Sequence, residues 1–412
     1  MVLGLLGAGA FYFWPTPPMP LPEFISFPPE VAPGLTYLNV QNSTIPLSLH
    51  VVRIDRHEPE LMLRVLHSRP QVQAVTSMSQ MLRSLDPALG RPLAAINGDY
   101  FDRDKPYAGD PRGLEIINGE VTSAPGAFVS IWFATNGEVY ATNVTSLFRV
   151  TWPDGSATPL GLNERRKTNG LVLYAPRFGR STGTTNGLEL VLERADATPW
   201  PPLHIGSNYS AVVTEVTTTN TPLSSDRMVL SIGPDLLGKI PQVTTGAVVG
   251  LSLETSPDLK RAPMGIAGGP VLVREHQAQK IRKPTHEEAP TQWAARVSFE
   301  RHPRTAFGWN DNYFFLVEVD GRQLKAHLSE GMTLVELAAY MTKLGCHEAV
   351  NLDGGGSATL WLDGRTVSKP CDKRERDIAN ALVVFSQRPP VAEALASNAP
   401  PDELNEAEAV QR

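Results

Sequence analysis

Two short stretches place a carboxylate at the end of an apolar run, where a buried strand would deliver it to a rim. In Ala349-Val350-Asn351-Leu352-Asp353-Gly354-Gly355-Gly356-Ser357 the acid is Asp353, followed directly by three glycines and a hydroxyl. Without a Cβ, glycine lets the backbone turn sharply and bring its N–H groups close to a ligand. A run of such amides can form a nest for an anion. In Leu93-Ala94-Ala95-Ile96-Asn97-Gly98-Asp99 the acid is Asp99, with Asn97 and Gly98 just before it. One carboxylate beside an anion cradle suits a substrate that carries phosphate next to the bond being cut. Asp-Gly and Asn-Gly are also common turn dipeptides, so neither stretch decides the matter alone.

A third stretch, Arg304-Thr305-Ala306-Phe307-Gly308, opens on an arginine before an apolar strand, Tyr313 to Val319. The planar guanidinium fork matches phosphate oxygens, and it serves equally well as a structural ion-pair partner. Arg376, just before the final apolar run, is either a second phosphate contact or a solvated charge in the mixed run Asp372 to Asp377. Glu115 and Asp102 are weaker candidates for the second carboxylate. The histidines His276, His286 and His302 have no metal-ligand spacing. A calcium or magnesium ion between Asp353 and Asp99 stays open, because oxygen ligands leave no fixed spacing in sequence. The residues themselves require no cofactor.

The elements that must position these groups can be read from the pattern. Leu47, Leu49 and Val51 alternate with polar neighbours, and Leu61 to Leu66 forms a second strand-like run. Met78, Met81, Leu82 and Leu85 share one helical face, with Thr76 as the expected N-cap. Hairpin turns are expected at Asn118-Gly119 and Asn136-Gly137, and at Asp363-Gly364. Between Val150 and Leu259, repeated short apolar runs such as Leu171 to Tyr174 and Met228 to Ile232 read as β-rich. Thr333-Leu334-Val335-Glu336 is a capping box, and the helix it starts is stopped by Gly345. That helix leads straight into the Asp353 strand, and a second strand is expected from Ala358 to Leu362.

A chain of 412 residues with 42% hydrophobic and 19% charged residues has ample material for a real core. A net charge of −6 and the lack of a basic stripe argue against a nucleic-acid surface. Thirty-six prolines and 33 glycines imply many turns, hence a strand-rich fold. Cys346 and Cys371 are the two cysteines, too few for a disulfide framework or a zinc site, and either a pair or two free thiols fits. The expectation is an α+β fold: one large domain over 34–388, with a mixed, largely antiparallel sheet and few helices. An apolar leader and Pro-rich spacer (1–33) precede it. An acidic tail (389–412), too polar to pack, follows. The apolar run from Met1 to Trp14 is too short for an ordinary membrane-spanning helix but is like the core of an export signal or anchor.

Five motifs occur in order: Asn97-Gly98-Asp99-Tyr100-Phe101, Gly268-Gly269-Pro270-Val271, Arg304 to Gly308, Met332 to Leu344, and Asn351 to Ser357. Together they resemble the phosphodiester glycosidase family, over about Leu93 to Phe385. The resemblance implies hydrolysis of an N-acetylglucosamine-type sugar-1-phosphodiester, giving free sugar and a phosphomonoester. For that reaction Asp353 is expected to face the anomeric carbon, and Asp99, at the end of its own buried strand, is expected to be the second catalytic carboxylate. The residues expected to bind substrate and phosphate are Arg304, Thr305, Gly354, Gly355, Gly356, Ser357, Asn97, Gly98, Gly268 and Arg376. With few cysteines and an apolar leader, the chain is similar to exported bacterial members, periplasmic or membrane-anchored. Two rival classes share the same cradle: a non-catalytic envelope protein that binds sugar-phosphate polymers, and a metal-dependent phosphodiesterase.

Overall fold

The computed structural model describes residues 19–22, 26–42, 45–196, 200–281, 298–326 and 328–387. The apolar leader, His286 and the acidic tail lie outside the described residues. Strand accounts for 42% of the structure and helix for 8%, so the fold is sheet-dominated and the α+β expectation holds only loosely. Among the described residues, pairing is antiparallel with one short exception, Gly161–Leu162 beside Leu171–Tyr174.

Three sheets frame the site. One has seven strands in the order Leu35–Asn42, Leu47–Asp55, Tyr313–Val319, Arg304–Trp309, Glu348–Asn351, Val271–Arg274, Gln277–Ala278. A second has five, with Arg91–Asn97 at its centre between Leu360–Leu362 and Asn380–Ser386. The third, also five-stranded, is centred on Met264–Gly268. Their facing apolar residues (Ile96, Ile266, Phe307, Val350, Leu352, Leu382) form one shared core. An eight-stranded sheet built from residues 149–253 encloses a separate core that also takes in Ile116 and Val121 of the third sheet and the adjoining Leu114.

Local chemistry explains most boundaries. The helix Leu334–Lys343 starts on Thr333, whose hydroxyl accepts the Glu336 N–H while the Glu336 carboxylate accepts the Thr333 N–H. Its apolar face covers the seven-stranded sheet through Leu337, Ala338 and Met341. Positive φ at Asn118-Gly119 and Asp363-Gly364 matches the hairpin turns read from the sequence. The short helix Met78–Arg83 is capped by Ser77 instead of Thr76, because Thr76 is drawn into a backbone bridge with Ile378. The second strand after the glycines begins at Leu360, two residues later than expected, because Gly355–Ser357 form a 3-10 turn. Cys346 and Cys371 are both free thiols.

Candidate active site

The strand ends of all three sheets converge on one cavity of ≈ 300 Å³. It is lined by Asp353, the Gly354–Gly356 loop, Tyr100, Phe101, His302 and five arginines: Arg103, Arg112, Arg304, Arg322 and Arg376. A single carboxylate therefore faces an excess of cations.

Asn97 organises the floor. Its amide donates to the Asp353 carbonyl at 2.6 Å, and its Oδ1 accepts from the Thr305 hydroxyl at 2.8 Å and the Thr359 N–H at 3.0 Å. These contacts tie the strand ends of two sheets together through a residue that is 1% exposed. Asn97 and Thr305 thus form the frame, away from the cavity wall. Gly98 is equally enclosed, because a Cβ there would collide with Asn380 and Ile266. Gly268 packs against the Asn351 carbonyl, where a Cβ would come to 2.7 Å, so it too is a close-approach position. Asn351 donates to the Tyr100 hydroxyl at 2.7 Å and to the Gly269 carbonyl at 2.9 Å, fixing the phenol at the cavity edge.

Asp353 ends its strand with its N–H donated to the Gly98 carbonyl at 2.9 Å. Burial pushes its carboxyl up to about 6, although the Ser357 hydroxyl, Arg376, the Gly354 N–H and Arg103 all favour the charged form. Near neutral pH it is mostly ionised and poised to accept a proton. Asp99 behaves differently. It does not line the cavity; its Oδ1 accepts the Tyr100 N–H at 2.6 Å, while its Oδ2 is buried with no hydrogen-bond partner in the structure. Burial, then the nearby Asp353 and Glu115 charges, push its carboxyl well above the usual carboxylate range. The two acids expected to work as a pair are thus adjacent, with only Asp353 presented to a substrate.

The weaker candidates are structural. Glu115 is fully buried behind Asp99 and accepts from His67 (3.0 Å), Thr122 (2.6 Å) and Asn380 (2.8 Å). Burial would raise its carboxyl, but these partners outweigh that and hold it low. Asn380 links the two acids, since its carbonyl oxygen accepts the Asp99 N–H at 2.8 Å. Asp102 lies away from the cavity in an ion pair with Arg165 at 2.9 Å.

The glycine loop is only partly a nest. The Gly355 N–H donates to the Pro303 carbonyl at 2.9 Å and the Ser357 N–H to the Gly354 carbonyl at 3.2 Å, so neither is aimed at an anion. The glycines serve instead to admit arginines. Arg322 lies over Gly355, at 3.3 Å from where a Cβ would stand. Arg376 lies over Gly356 so closely that a Cβ would fall well inside 3.0 Å of its guanidinium. Asp372 holds Arg376 there through Nη2 at 2.6 Å and Nε at 3.1 Å. Arg304 is 3% exposed, with Nε donating to the Met332 carbonyl at 2.8 Å and Nη2 to the Glu300 carbonyl at 2.9 Å. Burial lowers it to about 10, which still leaves it cationic at neutral pH. A calcium or magnesium ion fits poorly at Asp353, because its charged neighbours are arginines and Asp99 stands behind the wall.

Sequence reasoning missed Arg103, Arg112, Arg322, His302 and Tyr100 as site residues. Tyr100 and Arg103 sit in or beside a recognised motif; Arg112 and Arg322 are exposed turn residues with no distinguishing neighbours.

Comparison with known proteins agrees with the motifs. Residues 206–385 match the sequence model of the phosphodiester glycosidase family. The family read from the motifs is the family found. Among curated proteins, the chain is 33% identical over 85 residues to a prophage-derived uncharacterized protein, YomE, of Bacillus subtilis. That match covers 20% of this chain and 13% of the relative. It is 32% identical over 108 residues to the Bos taurus N-acetylglucosamine-1-phosphodiester alpha-N-acetylglucosaminidase, covering 26% of this chain and 19% of that enzyme. The chain thus spans less than a fifth of the length of these relatives. Two solved structures share the fold. A hypothetical protein from Synechocystis has a TM-score of 0.66 and 20% identity, covering 86% of this chain and 62% of its own. A Burkholderia pseudomallei protein described as exported has a TM-score of 0.64 and 22% identity, covering 82% and 74%.

Proposed function

We propose that this cavity hydrolyses a sugar-1-phosphodiester at the anomeric carbon–oxygen bond, releasing free sugar and a phosphomonoester. The observation that carries the reading is one ionisable carboxylate, Asp353, set among five arginines in a single cavity. A phosphate monoester is a stable leaving anion, so its departure needs charge stabilisation more than protonation. Arg304, Arg322 and Arg376, which line the cavity together with the glycine loop, supply that charge. Asp353 faces the anomeric carbon, as nucleophile or as base for the attacking water. Buried Asp99 supports the floor beneath it. The bovine relative is named for N-acetylglucosamine, which makes that sugar the first to try.

A second reading has one observation in its favour. Asp99 does not reach the cavity, and a site with one presented carboxylate would also serve a protein that only binds sugar-phosphate polymers. Export is part of the proposal; it rests on the apolar run Met1 to Trp14, and one fold neighbour is itself described as exported. Among the described residues no helix is long and apolar enough to cross a membrane.

The test is turnover of N-acetylglucosamine-α-1-phosphodiesters by the full chain beside Asp353→Asn and Arg304→Ala. Free N-acetylglucosamine, lost in both folded variants, supports the proposal. Phosphate-dependent binding without product, across a panel of sugars, favours the binding protein.

A further inference from the structure

We infer that His50, Glu318 and Asp320 hold a divalent transition-metal ion, away from the arginine-lined cavity. His50 and Glu318 are directly opposed on neighbouring strands of the seven-stranded sheet, and Asp320 follows two residues after Glu318. Opposed and alternate residues share a sheet face, so the register itself brings the three side chains together. Their ligand atoms all lie within 4.8 Å of one another, with His50 Nε2 3.1 Å from Asp320 Oδ2. In a metal centre with bonds of about 2.1 Å, ligand atoms stand roughly 3–4.2 Å apart, and the His50–Asp320 pair already falls in that range.

An independent observation points to a missing cation. All three residues are buried, at 4%, 1% and 0% exposure, yet Glu318 Oε2 has no hydrogen-bond partner. Among the described residues no lysine or arginine pairs with either carboxylate. Two acids together in an interior, without a cation, are costly.

The outer partners are those a metal centre uses. His50 Nδ1 has two outer partners, the Tyr37 hydroxyl at 2.7 Å and the Asn39 amide at 3.0 Å, which hold the ring with Nε2 turned toward Asp320. Asp320 is oriented by the Lys369 N–H at 2.6 Å on Oδ1 and the Ser48 hydroxyl at 2.7 Å on Oδ2. One imidazole with two carboxylates suits zinc or manganese(II); calcium would call for six to eight oxygens. The ion would serve as a positioning centre. Glu318 is opposed on its other side by Thr305, whose hydroxyl holds Asn97 and through it the Asp353 main chain. The Asp320 main-chain carbonyl also accepts the Ser329 hydroxyl at 2.5 Å, closing the loop in which Arg322 lies.

The experiment is metal analysis of the full chain purified without chelator, followed by stripping and titration with Zn²⁺ or Mn²⁺. The expected result is about one ion per chain and a Tm that falls on stripping and recovers on addition. Binding should vanish in the near-isosteric Glu318→Gln and Asp320→Asn but survive in Asp353→Asn. Tyr37→Phe, which removes one outer partner of His50 and no ligand, should weaken it about 10–100-fold. Should the variants fail to fold, Co²⁺ added to stripped wild-type protein decides through its ligand-field absorption bands. Neither binding nor a Tm response in stripped wild type, or binding undiminished in folded Glu318→Gln and Asp320→Asn, would overturn the inference.

Discussion

Gly356→Ala separates the two jobs a glycine loop can do. A Cβ at this position would lie well inside 3.0 Å of the Arg376 guanidinium and of an Asp372 carboxylate oxygen. Ordinary carbon contacts begin near 3.5 Å, so the guanidinium must retreat by at least about 1 Å. The backbone needs no change, because Gly356 does not hold a positive φ. The Arg376–Asp372 pair is partly exposed, at 24% and 41%, and such pairs contribute about 0–1 kcal/mol. Its displacement should therefore leave folding nearly intact, with Tm within about 3 °C of wild type. The chemistry should suffer far more. Losing one preoriented donor to a developing anion costs about 2.7–4 kcal/mol, or roughly 10²–10³ in kcat. The assay is kcat and KM on a glycosyl phosphodiester, with thermal denaturation of the same samples. Arg376→Ala should show the same loss, and the double variant little more, since both act through one guanidinium. Wild-type turnover in Gly356→Ala would refute the role given to Arg376. A collapse in Tm would show that the glycine is needed for folding.

Three further outcomes follow from the same geometry. The Asp353 carboxyl is raised to about 6, so kcat/KM should fall as pH drops through 6. A raised acid also stabilises the fold only while protonated, with that contribution lost as pH climbs from the ordinary 3.8 through 6. Asp353→Asn should accordingly raise Tm at pH 7.5, not below pH 3.8, while abolishing turnover; a lower Tm at pH 7.5 would contradict this. Glu115→Leu leaves His67, Thr122 and Asn380 without their shared acceptor and should lose about 3–5 kcal/mol in denaturant unfolding. Arg112→Ala, at the exposed rim, should raise KM with little change in kcat, and the effect should shrink as salt is added. A kcat defect would move Arg112 into the chemistry.

Much of the framework was legible because it is written in local chemistry. The Thr333–Glu336 capping box, the Asn118-Gly119 and Asp363-Gly364 turns and the strands Leu171–Tyr174, Met228–Ile232 and Tyr313–Val319 stand where the residue types put them. The strand Leu35–Asn42 escaped notice because its outer face is only half-buried at the sheet edge, leaving no clean alternation. At the site, Asp353, Arg304 and Arg376 were recognised and do meet. Asn97 and Thr305 were recognised for the right place and a different job, since their side chains bond to each other across two sheets. The arginines 103, 112 and 322 could not be recognised. Each sits in an exposed turn, and only the tertiary fold brings them to one cavity. The glycines mislead in an instructive way: three in a row suggest a nest of amides, while here two of them admit guanidinium groups.

The most direct test of the central claim is hydrolysis of a glycosyl phosphodiester in ¹⁸O-water, with mass analysis of the phosphomonoester. Attack at the anomeric carbon predicts a phosphomonoester free of label, accompanied by free sugar. Label in the phosphate, with sugar 1-phosphate as a product, would show that water attacks phosphorus and would contradict the role given to Asp353.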